Sequence, residues 1–67
     1  MLNDPVALAR THVLKGREIV AQQRFLIERL RTLRLDLTEA EDLLGRFEDC
    51  LRIFEDDLER LEGEASR

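Results

Sequence analysis

The sequence predicts an all-α fold: an antiparallel helical hairpin that dimerises into a four-helix bundle. Three observations point to it. Apolar residues return every three or four positions along two long stretches, that rhythm breaks at Leu35-Asp36-Leu37, and the two stretches carry opposite charge. One domain over residues 1–67 is expected, with a helix at about 4–34, a turn at about 35–37 and a helix at about 38–64.

The first helix begins at Asn3-Asp4-Pro5. Asn or Asp caps a helix by accepting from its orphan amide groups, and Pro fits the first helical position, where no N–H is needed. Ala9, Val13, Val20, Ile27 and Leu30 then follow alternating steps of four and three, with Gly16 and Gln23 completing the series. Ile19, Leu26 and Leu33 form a second row at seven-residue intervals. A stripe this broad exceeds a bare coiled-coil seam and should meet more than one neighbouring helix. Gln23 within it reads as a partly exposed edge position, or else as a buried amide that specifies register.

At the break, Thr38-Glu39-Ala40-Glu41 has the form of a capping box, in which Thr38 and Glu41 satisfy each other's backbone amides. The phase shift and this cap favour a hairpin over one uninterrupted helix, and a connection this short makes the two helices antiparallel. The second helix carries an unbroken four–three row: Ala40, Leu44, Phe47, Leu51, Phe54, Leu58, Leu61 and Ala65. Leu43, Cys50 and Ile53 widen it. Gly45 beside the row suits either a close helix approach or an exposed position, and Gly63 marks the expected fraying end.

Residues 1–34 carry seven basic side chains against three acids, whereas residues 38–64 carry eleven acids against three arginines. A basic helix beside an acidic one is favourable, although exposed pairs contribute only about 0–1 kcal/mol each and select the pairing more than they stabilise it. Chains below roughly 70–80 residues rarely bury enough core alone, and they rely on disulfides, a metal or association. With 67 residues, one cysteine and one histidine, association is what this chain has available. The expected partner is a second copy, and the expected interface is built from Ile19, Gln23, Leu26, Leu33, Leu43, Phe47, Cys50 and Phe54.

Other functions have weaker signals. His12 has no companion His or Cys at a metal-ligand spacing, and it reads as a packing or surface residue. Cys50 reads as a buried, reduced small hydrophobe, with a cross-link between two copies as the alternative. Glu55, Asp56, Asp57 and Glu59 lack the spacing of a calcium loop and read as a solvated acidic face. No catalytic set converges and no cofactor motif occurs, so a non-enzymatic protein without cofactor is expected. The longest apolar runs are a few residues, against the roughly 20 that span a bilayer. No basic segment leads into an apolar one at the start, so a soluble, cytoplasmic protein is expected.

His12-Val13, Gly16, Val20, Gln23, Ile27 and Leu30, followed by Asp36, Ala40, Leu43-Leu44, Phe47-Glu48, Leu51 and Leu58, resemble a group of short uncharacterised alphaproteobacterial proteins over roughly residues 10–61. The resemblance implies a bacterial helical hairpin and no catalytic residue. Those proteins usually carry a Gly-containing turn, where this chain has Arg34-Leu35.

Two functions follow as expectations. One is a small interaction or regulatory module that acts through homodimerisation and presents charged faces to a protein partner. The alternative is RNA contact through the basic row of the first helix, by fold-level analogy with ROP-like RNA-binding hairpin dimers. The net charge of -4 and the absence of aromatics among the arginines make nucleic acid the less favoured partner.

Overall fold

Asp4 and Pro5 start the first helix as their chemistry requires. In a computed structural model that describes residues 4–66, helix α1 runs from Pro5 to Thr32. The Asp4 carboxylate accepts from the Val6 amide at 3.0 Å and from the Ala7 amide at 3.4 Å. Asn3, the other expected cap, lies outside the described residues. Helix α2 runs from Thr38 to Ala65 and packs along α1, so the chain is a two-helix hairpin rather than one continuous helix. Each helix has 28 residues, about 42 Å at a rise of 1.5 Å per residue.

The connection is wider than expected, because α1 stops two residues early. Leu33 ends the helix, and Arg34 turns into the left-handed region with φ 57°. The Leu35 amide then reaches back to the Leu30 carbonyl and the Arg34 amide to that of Arg31, both at 3.0 Å. These are the two bonds of a Schellman ending, which satisfies carbonyls that a helix otherwise leaves unpaired. Glycine is the usual residue at the left-handed position because a Cβ is disfavoured there.

The capping box does not form. Thr38 is the first helical residue, so its hydroxyl cannot serve as the cap. Asp36 does this work: its carboxylate accepts from the Thr38 amide at 2.9 Å and from the Thr38 hydroxyl at 2.8 Å. Those two bonds, the backbone amide first and the hydroxyl second, hold the Asp36 carboxyl below its usual pKa range. An Asx turn two residues before a Thr competes directly with a capping box that uses the same Thr, and here it wins. At the far end α2 continues through Gly63 to Ala65.

The core is assembled from unequal halves. The buried residues of α1 are small or medium: Ala9, Val13, Gly16, Val20, Gln23 and Ile27. Their partners on α2 are larger, with Leu44, Phe47, Leu51, Phe54, Leu58 and Leu61 all half-buried. The tall side chains of α2 cover the low surface of α1 while their outer parts remain in solvent. Gly16 leaves room for Leu51, since a Cβ there would lie 3.0 Å from the Leu51 Cδ1 methyl. Gly45 has nothing within 4 Å of such a Cβ, which removes close packing as its reason.

Gln23 is a correction to its reading as an edge residue. It is 8% exposed, and its amide donates to the Ala40 carbonyl at 2.9 Å. A buried amide requires such a partner, since leaving it unpaired would cost about 1–3 kcal/mol. The bond joins the last third of α1 to the first turn of α2 and fixes their relative height. Among the described residues no buried side-chain nitrogen or oxygen lacks a hydrogen-bond partner.

Candidate interaction surface

The seam between the helices has two flanks, and they differ in chemistry. On the first flank each residue directly follows a seam position. On α1 these are Arg10, Arg17, Arg24 and Arg31, and on α2 they are Glu41, Glu48, Glu55 and Glu62. Arg10 meets Glu62 at 3.1 Å, Arg17 meets Glu55 at 3.3 Å, and Arg24 meets Glu48 at 2.8 Å. Every step of seven along α1 is answered by a step of seven back along α2, as an antiparallel register demands. Arg31, the last rung on α1, pairs instead with Glu28 on its own helix at 3.2 Å. These side chains are well exposed, so each pair contributes at most about 1 kcal/mol. Their main effect is selective, because a slip by one turn would separate all three.

The opposite flank has residues that directly precede seam positions, His12, Ile19 and Leu26 on α1 and Leu43, Cys50, Asp57 and Glu64 on α2, with Leu33 one heptad beyond Leu26 at the end of α1. Towards the turn it is apolar and uncovered. Ile19 is 42% exposed, Leu26 44%, Leu33 64% and Leu43 39%. Leu26 and Leu43 line one shallow groove with Gln23, Leu30 and Ala40, and Asp36 and Glu39 bring two carboxylates to it. One heptad further from the turn, the same register places Ile19 beside Cys50. Ile53, 65% exposed, extends the band three residues beyond Cys50 on α2.

Towards the open end of the hairpin this flank becomes polar. His12 is exposed, and its ring lies 5.2 Å from that of Phe54 at a tilt of 37°. Asp57 and Glu64 both bind Arg60 within α2, and these bonds raise the pKa of the guanidinium further.

Of the eight residues expected at an interface, Ile19, Leu26, Leu33, Leu43 and Cys50 lie together in the uncovered band. Phe47 and Phe54 are half-buried in the seam, and Gln23 is spent inside the hairpin. Cys50, expected as a buried thiol, is free and exposed in the single hairpin. The sequence reading registered the charge imbalance of the two helices but missed the matched ladder. The signal was present as identical seven-residue spacings of Arg on one helix and Glu on the other.

Among the described residues no three His, Cys, Asp or Glu side chains are placed to share a metal ion. None of the described helices is long and apolar enough to cross a membrane. No protein family matches the chain, and no curated protein or solved structure matches it either.

Proposed function

We propose that this chain is a non-enzymatic interaction module whose working form is a homodimer, two hairpins joined through their apolar flanks into a four-helix bundle. One observation carries the reading: the seam is sealed by Arg–Glu pairs along one flank and left open along the other, where Ile19, Leu26, Leu33 and Leu43 stand exposed side by side. Contiguous apolar surface with a polar surround marks a contact site, unlike scattered single residues. A second copy is the occupant that fits, because it brings an equal band of the same length and the same polar end. The charged outer faces would then be presented to a protein partner.

RNA contact through α1 has less support. Arg10, Arg17 and Arg24, which it would use, face glutamates of α2, and Arg31 faces Glu28.

Sedimentation equilibrium across micromolar concentrations tests the proposal. The wild-type chain should sediment as a dimer, and Leu26→Lys/Leu43→Lys should sediment as a helical monomer. A wild-type chain that stays monomeric throughout the range would overturn the reading.

A further inference from the structure

The polarity gradient along the apolar flank decides how two copies would meet. This inference rests on the dimer reading above and goes on to its geometry. We infer that the two hairpins lie side by side with both turns at the same end, related by a two-fold axis along the bundle.

In that arrangement α2 of one copy lies beside α1 of the other, and equal levels meet. Leu43 faces the partner's Leu26, and Cys50 faces the partner's Ile19. Asp57 faces the partner's His12, with the partner's Lys15 three residues further along α1. Apolar levels thus meet apolar levels, and the acidic open end of α2 meets a basic stretch of α1. Turning one copy end for end breaks this match. In full overlap Asp57 of one copy would then sit at the level of Leu26 of the other, and Glu64 at the level of Leu33. The Asp57–Arg60 pair pressed onto leucine would lose its water at a cost, whereas at a wet rim beside Lys15 it stays hydrated.

Area argues against the remaining option, in which two inverted hairpins overlap only over their turn halves. The hairpin measures 52 × 19 × 13 Å, so its broad face offers just under about 1,000 Å², against the roughly 800 Å² per partner of a stable interface. Overlap over half the length would offer about 500 Å², below that standard. Full side-by-side packing satisfies both area and polarity.

Distances between spin labels on the two copies test the geometry. Leu35→Cys, in a Cys50→Ser background, places one label at each turn. With both turns at one end the labels should lie within about 25 Å, two to three helix spacings of 8–10 Å. Inverted copies in full overlap would hold the turns about 50 Å apart, close to the 52 Å length of the hairpin. Gly63→Cys, at a site with open space around it, repeats the measurement from the other end and covers the case in which the turn variant does not fold. Sedimentation of the same samples separates the two levels of the argument. A dimer with a long label distance overturns this geometry alone, and a monomer overturns the dimer itself.

Discussion

Arg34 sits where an L side chain is disfavoured, and replacing it with glycine should stabilise the protein. Its φ of 57° lies in the left-handed region, which costs a residue with a Cβ roughly 1–2 kcal/mol. Glycine avoids that cost but loses more backbone freedom on folding, an offset of about 0.4–1 kcal/mol. The net gain for Arg34→Gly is therefore about 0.5–1 kcal/mol. For a chain of this length that is a rise in Tm of about 2–8 °C. The two Schellman bonds, from Leu35 to Leu30 and from Arg34 to Arg31, use backbone atoms only and survive the change. Thermal unfolding followed by circular dichroism is the assay, with protein concentration held fixed because the proposed association would make Tm depend on it. Arg34→Ala is the control. It removes the same charge and side chain but keeps the Cβ, so it should show no comparable gain. If Arg34→Ala stabilises as much as Arg34→Gly, charge rather than backbone strain is the cause. If Arg34→Gly destabilises, the reasoning about the turn is wrong.

Two further predictions follow from the glycines and from Asp36. Gly16→Leu should destabilise by about 1–3 kcal/mol through overpacking against Leu51 and Phe54, whereas Gly45→Ala, in open space, should stabilise by up to about 1 kcal/mol; urea denaturation checks both, and equal effects would refute the asymmetry of the seam. The Asp36 carboxyl titrates lower in the folded chain than in the unfolded one, so its contribution to stability is complete above the ordinary carboxylate range and disappears as pH falls through the lower folded value. The stability difference between the wild type and Asp36→Asn should therefore shrink as pH drops from neutral to about 2, and a difference independent of pH would contradict the cap.

The row from Ala40 to Ala65 was legible because nothing else on α2 competes with it: large apolar residues recur at the helical period without a gap. α1 was harder to read. Its seam contains Gly16 and Gln23, whose roles depend on what lies opposite, and no periodicity reports that Leu51 covers one or that the Ala40 carbonyl receives the other. The turn was misjudged for a related reason. Thr38 can be a cap or a capped residue, and only the backbone path set by Arg34 decides that Asp36 takes the role. The apolar flank was visible as the rows Ile19-Leu26-Leu33 and Leu43-Cys50. Its one-sidedness was not, because the opposing Arg–Glu rungs belong to two helices and become pairs only at the right register.

That register gives the hairpin two unlike edges, which in the proposed dimer would limit growth. A rod that is adhesive along both edges can add neighbours indefinitely, and contacts that do not close on themselves lead to open filaments. Here three ionic rungs line one edge with hydrated charge, interrupted by exposed Leu14 beside Arg10 and Arg17, which makes that edge the poorer place for a neighbour. In the proposed dimer, association through the apolar edge would use that edge up. The arginines and glutamates of the ladder, weak as individual bonds, would in this way act as a stop signal for polymerisation.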